Sequence, residues 1–212
     1  MMKKLFLLGC ALTMAACSGA AETVSQTGSA TPSTEMVNAL PTVSGANIWT
    51  VDYSASTLQF NAVHAGNTFT GDFNSFSAVI KLDPENPEDG EVHVVVDIAS
   101  VDANDDDRNA NLPEKDWFNI KAFPYAKFSA TDITRVSGND YIARGDLSIK
   151  GISQPTQLDF QLTIDGDRAK ASGTTTLMRP DFKLGTDSSD FKTEEWVAFP
   201  VKVRFVVSAD RQ

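Results

Sequence analysis

Two cysteines and two histidines are all that this 212-residue chain contains of the softer metal ligands. Both cysteines, Cys10 and Cys17, lie near the N-terminus, so the rest of the chain has no thiol for a disulfide, a metal or a nucleophile. His64 and His93 stand on separate segments without cysteine or histidine neighbours at ligand spacing. Positive charge is also scarce: 18 Lys and Arg face 28 Asp and Glu, a net of −10. That deficit excludes nucleic acid, whose phosphates need clustered Lys and Arg, and electrostatic adhesion to anionic lipid. No G-x-S-x-G elbow, P-loop or dinucleotide fingerprint occurs. Asp105-Asp106-Asp107 lacks the glycine and distal glutamate of a calcium loop and reads as an acidic helix start. The expectation is a chain without catalysis, metal or cofactor.

Long apolar runs are missing too. Residues 5–14 are apolar but rise only about 15 Å as a helix, against about 30 Å of bilayer. They follow Met1-Met2-Lys3-Lys4 and precede Ala15-Ala16-Cys17, two small residues before a cysteine. This resembles a bacterial lipoprotein signal, in which the cysteine is diacylated and becomes the mature N-terminus. Met14 stands where such signals usually carry Leu, and cleavage at Cys10 would leave almost no apolar region. The expected organisation is a signal peptide over 1–17 with lipidation at Cys17, a flexible tether over 18–46, and one domain over 47–212. Loss of Lys3 and Lys4 leaves 16 basic against 28 acidic residues. The tether reading rests on a Ser/Thr/Ala/Gly-rich stretch with few aromatics and no periodicity.

From Ile48 the pattern turns to alternation, the mark of strands with one buried face. Leu58, Phe60, Ala62 and His64 share a face; so do Phe69, Gly71 and Phe73, and, beyond a kink at Asn74-Ser75, Phe76, Ala78, Ile80 and Leu82. Val92, Val94, Val96 and Ile98 follow, then runs over 125–136, 141–150, 157–165, 168–178 and 196–208. Asp165-Gly166-Asp167 reads as a tight hairpin. One stretch, 105–116, reads as helical, with Asn104 or Asp105 as N-cap and Pro113 able to shorten it. Eight or nine antiparallel strands fit a sandwich or a closed barrel, and periodicity alone does not choose between them.

The stretch SVDANDDDRNANLPEKDWFNIKAFPYAKFSAT, residues 100–131, resembles the signature segment of the YceI-like family of polyisoprenoid-binding periplasmic proteins. It carries Ser100-Val101-Asp102, Arg108, Leu112, Asp116-Trp117-Phe118, Pro124 and Phe128 in the family's order. Trp49 to Asp52, Ser56 to Phe60, Phe69-Thr70-Gly71-Asp72-Phe73 and Gly145 to Gly151 with Pro155 resemble further family elements. Two segments depart from it: Arg108-Asn109-Ala110-Asn111-Leu112, where many members read R-D-x-H-L, and Arg179-Pro180-Asp181-Phe182-Lys183, where many read R-x-D-F-G. These departures bear on the identity of a ligand head group and leave the fold untouched. The resemblance implies an all-β fold, an extended eight-stranded antiparallel lipocalin-like barrel with one short helical segment and a long apolar channel. It also implies a long-chain isoprenoid or other aliphatic lipid as ligand, held without metal or cofactor.

A chain of about twenty methylenes would gain roughly 16 kcal/mol gross on burial, cut to ordinary affinity by lost ligand freedom. Such a tail needs apolar walls, and the 13 Phe supply many. The expected lining is Phe60, Ala62, Phe69, Phe73, Phe76, Ile80, Val94, Val96, Trp117, Phe118, Phe128, Leu147, Phe160 and Phe205. Each Phe taken alone is equally suited to a solid core. Arg108, Lys150 and Arg179 are candidate head-group contacts, and Trp117 with Phe118 either plugs or gates one end. His64 reads as a satisfied core histidine. The functional expectation is non-catalytic transport or storage of a polyisoprenoid or quinone-like lipid. It would be lipid-anchored in the periplasm, at the outer membrane since Ser18 follows the cysteine, as monomer or homodimer. The alternative is a tethered interaction module with a dry interior that binds a protein partner through its surface.

Overall fold

A computed structural model describes residues 29–212. The expected signal peptide, the lipidation site Cys17 and the first part of the expected tether lie outside the described residues. Ten strands occur among those described: β1 (Ile48–His64), β2 (Asn67–Phe73), β3 (Phe76–Lys81), β4 (Glu91–Asp97), β5 (Val101–Asp102), β6 (Tyr125–Ser137), β7 (Asp140–Ile149), β8 (Ile152–Asp165), β9 (Arg168–Met178) and β10 (Pro200–Arg211). They form one antiparallel sheet that closes on itself as β1 pairs with β10, from Trp49↔Arg211 to Asn61↔Lys202. β2 and β3 are one stave broken at Asn74-Ser75, where the sequence places its kink, and β4 and β5 are another. The result is an eight-staved barrel, which has no open edge to protect.

The two ends differ. At the lower end the connections include two-residue hairpins, among them the expected Gly166-Asp167 turn between Asp165 and Arg168. Here Trp49, Leu82, Ile133, Tyr141 and Leu162 pack into a buried cluster, and Trp49 Nε1 donates to Leu82 O at 2.9 Å. At the upper end two long connections, 103–124 and 179–199, fold over the opening. The first carries a short helix over Asp106–Asn111. Two short hairpins share that end, Ala65-Gly66 between β1 and β2 and Lys150-Gly151 between β7 and β8, with all four residues at positive φ (48°, 77°, 51° and 74°), the backbone a two-residue hairpin requires.

Strand β1 does not pair evenly. It meets β3 only at Ile48↔Lys81 and Trp49↔Ile80, and takes up β2 from Gln59 onward. Between these, a bulge at residues 53–56 is knotted by Ser56 Oγ, which donates to Asp52 O at 2.7 Å and accepts from Ser208 N at 3.0 Å. The seam left between β1 and β3 is closed partly by Ala78 N donating to the Tyr53 hydroxyl at 3.2 Å. The rest is closed by the chain before the barrel. Ser29 N donates to Ser56 O, Ala30 N donates to Asn74 O, and Ala30 bridges Ser75 in parallel.

That segment corrects the tether reading for residues 29–46. It forms helix α1 (Thr34–Asn38), capped by Ser33, which lies on the outer faces of β3 and β4. Met36 is 0 % exposed, and the outward residues beneath this region, Ser77 and Val95, are 2 % and 1 % exposed. A Ser/Thr-rich composition hid this because one methionine, placed over one valine, is enough to dock five helical residues.

Helix α2 (Asp106–Asn111) is shorter than the expected 105–116. Asp105 caps it, its carboxylate accepting from Arg108 N at 3.0 Å. Pro113 cannot donate to the continuing ladder, so 112–123 becomes a run of turns. The expected strand 196–208 begins only at Pro200, because the backbone carbonyls of 197 and 198 are turned toward Arg179 instead.

Candidate ligand cavity

Alternation along the staves sends one side chain in two toward the barrel axis. Above the lower cluster these inward residues do not meet. They leave a cavity of about 520 Å³, within the range that holds a small organic ligand. Inward Leu158, Phe160, Ala169, Val203 and Phe205 are only half-buried, which a solid interior would not permit.

All fourteen residues expected to line a channel do line this cavity. Phe60 stands 6.0 Å from Phe69 and 5.5 Å from Phe73, and Phe73 stands 6.1 Å from Phe118, a connected aromatic wall below α2. Two glycines make room for the rings. A Cβ on Gly71 would come within 2.4 Å of Phe60 Cζ, and one on Gly173 within 2.7 Å of Phe205 Cζ. The rings therefore lie against bare backbone.

What sequence reasoning missed is the opposite wall. Ala143, Ala169, Ala171 and Thr175 also line the cavity, and their small size is what leaves it hollow. The signal was present in 168–178, where the inward face reads Ala169, Ala171, Gly173, Thr175, Leu177.

Polar and charged lining gathers at the upper end. His64, at the close of β1, borders the cavity, with Asp105, Asp107, Arg108 and Asn111 of the α2 region. Arg108 lies over the Phe69 ring, its Cζ 4.2 Å from the centroid. Its Nε and Nη2 donate to Ala103 O at 3.2 and 3.0 Å, and Nη1 is 3.8 Å from Asp105 Oδ2. Asp102 anchors the same corner, its Oδ1 accepting from Asn109 Nδ2 at 2.9 Å and Asn104 N at 2.8 Å. The Asn109 bond holds this carboxyl below the ordinary range, with the Asn104 bond adding to it.

The other two candidate head-group cations are corrected by the structure. Lys150 does not border the cavity; its ammonium donates to Asp116 O at 2.9 Å and Lys183 O at 2.8 Å, and burial pulls its pKa down. Arg179 borders the cavity but is 2 % exposed, and its donors are spent on backbone. Nε bonds Ala198 O, Nη1 bonds Leu184 O and Gly185 O, and Nη2 bonds Phe191 O, Thr193 O and Val197 O. Arg179 is thus the internal fastener of the 179–199 connection. Burial lowers its pKa, and the carboxylates of Asp116 and Glu194 work against that shift. Trp117 sits beneath this connection, 5.3 Å from Phe191, and Arg179 lies 5.8 Å over its ring. With Phe118 it roofs the cavity.

A closed antiparallel barrel, sealed at one end and hollowed by an apolar chamber, is by class a lipocalin-like fold. The chain belongs to the YceI-like family: the YceI-like domain matches residues 49–209. A UPF0312 protein of Shewanella denitrificans is 31% identical over 157 residues, 70% of this chain and 82% of that protein. Another, from Photorhabdus laumondii, is 34% identical over 108 residues, and the match spans only 56% of its length. Among solved structures, Burkholderia cenocepacia BcnA superposes with a TM-score of 0.71 at 29% identity, covering 75% of this chain and 99% of that one. A polyisoprenoid binding domain from Saccharophagus degradans shares the fold, with a TM-score of 0.61 at 19% identity over 79% of this chain.

Proposed function

We propose that this protein binds a long-chain apolar lipid, of isoprenoid or similar aliphatic kind, and carries or stores it in the cell envelope without changing it chemically. The observation that carries this reading is the cavity of about 520 Å³, walled by aromatic and aliphatic side chains from every stave. A tail without hydrogen-bonding groups is stabilised by such walls and by little else. Membership of the YceI-like family supports it, as does the shared fold of a domain described as polyisoprenoid binding. The half-buried inward side chains weigh against the alternative of a dry interaction module.

In this reading Cys17 is lipidated and holds the domain at the periplasmic face of the outer membrane. The carrier needs no nucleophile, since the lipid leaves as it entered. The test is native mass spectrometry and organic extraction of the chain from Ser18 onward, produced in the periplasm without its anchor. A bound species of isoprenoid or long-chain mass, lost on extraction, is expected. A protein that arrives empty and takes up no polyprenyl or quinone analogue overturns the reading.

A further inference from the structure

Resting on the lipid-binding reading, we propose that the mouth of the cavity selects a lipid whose head is uncharged and bears oxygen, an alcohol or a carbonyl. The phosphorylated form of the same chain is rejected. Among the described residues four charged side chains border the cavity: Asp105, Asp107, Arg108 and Arg179. The two cations do not make an anion site. Arg179 is enclosed by six carbonyl oxygens, so no N–H is left for a ligand. Arg108 has Asp105 at 3.8 Å and gives Nε and Nη2 to Ala103 O. Lys150, the remaining candidate cation, faces away onto carbonyls of residues 116 and 183.

Asp107 has no ion pair among the described residues, and Asp106 beside it adds a third carboxylate to the same turn. A diphosphate entering here meets carboxylates at the edge of an apolar chamber, where poor screening enlarges repulsion. A hydroxyl or carbonyl meets something different. The Nη N–H groups of Arg108 not given to Ala103 can donate to its oxygen. A hydroxyl can in turn donate to Asp107, while the tail runs down the Phe60–Phe69–Phe73 wall. Asp105 and Asp107 are therefore the specificity-determining residues, acting by repulsion rather than by contact with the favoured ligand alone.

The test uses displacement of a neutral fluorophore, N-phenyl-1-naphthylamine, from the chain beginning at Ser18. The competitors are geranylgeraniol and geranylgeranyl diphosphate, which share one tail. At low salt the alcohol should displace the probe at a concentration about tenfold or more below that of the diphosphate, and high salt should shrink the gap. An Asp105→Asn/Asp107→Asn variant should bring the two near parity, chiefly by improving the diphosphate. Asn keeps the N-cap of α2, so the fold is retained. Equal or tighter binding of the diphosphate, or a gap that the double variant does not narrow, overturns this inference alone. If neither competitor displaces the probe, the lipid-binding reading falls with it.

Discussion

Arg179 Nη2 donates to Val197 O at 2.8 Å, across eighteen residues of chain, and so ties the start of the upper connection to its end. The same guanidinium reaches Leu184, Gly185, Phe191, Thr193 and Ala198. A segment without strands or long helices is thus held in shape by one side chain. Arg179→Met should destabilise the domain by about 2–4 kcal/mol in urea titration, because several carbonyls lose their donor at once. Arg179→Lys should not rescue it, since one ammonium cannot reproduce a planar fork with five N–H groups. Limited proteolysis should cut within 183–199 in both variants, and wild-type resistance there in either would sink this account.

The hollow interior makes an unusual forecast for overpacking. Thr175 borders the cavity and is half-buried, so Thr175→Leu adds volume where there is room. Its unfolding midpoint should stay level or rise, while uptake of a polyprenyl analogue should fall severalfold. In a filled core the same kind of change costs about 1–3 kcal/mol. A loss of that size would show that the cavity is not space the protein keeps open.

Gly71 tests the other wall. Its missing Cβ is the place where the Phe60 ring lies, with Asp102 O also within 2.7 Å of that position. Gly71→Ala should cost about 1–3 kcal/mol, measured by denaturant, and should disturb binding as Phe60 is pushed into the chamber.

Met36 is fully buried although it precedes the barrel. Met36→Ala should cost about 2–3 kcal/mol, and amide exchange at residues 29–39 should quicken more than in the staves. A chain begun at residue 46 should show the same loss of stability. Unchanged stability in both would mean that the segment merely rests on the barrel.

The acid limb of stability should carry a signature of Asp102. Its carboxyl is held below its ordinary value of 3.8 by the bonds from Asn109 and Asn104. A folded pKa lower than the unfolded one gives stability that is complete above the unfolded value and drains as pH falls through the folded value. Below about pH 4 the corner joining β5 to α2 should therefore weaken, and Asp102→Asn should flatten that limb. An identical acid profile in the variant would assign the limb to other carboxylates.

Much of this was legible in sequence because the barrel is built from period-two alternation. The faces headed by Phe60, Phe69 and Val94 were readable, and so was the break at Asn74-Ser75, since Ser75 interrupts the apolar phase. The choice of barrel over sandwich came from the family motifs, as closure depends on β1 reaching β10 and no local pattern encodes it. Strand β8 runs back to Ile152, through Pro155, because proline ends a strand by rule but can sit where its nitrogen faces no partner. Arg179 and Lys150 misled for one reason: charge at a mouth suggests a ligand, while the carbonyls that had already claimed them belong to residues far along the chain. The docked segment 29–39 left little trace in the sequence because a single buried methionine, Met36, anchors its helix, while its backbone bonds go to the polar residues Ser56 and Asn74.

Closure between Trp49 and Arg211 also sets an order of events in time. The first stave waits for the last, so no part of the cavity is enclosed until nearly the whole chain has been made. The hairpins between β6 and β9 can form as they emerge, but they stay an open sheet with an apolar face. Contacts this distant in sequence slow the final step of folding. A chain cut before Pro200 would lose the whole of β10, and it would be an exposed, aggregation-prone sheet rather than a smaller barrel.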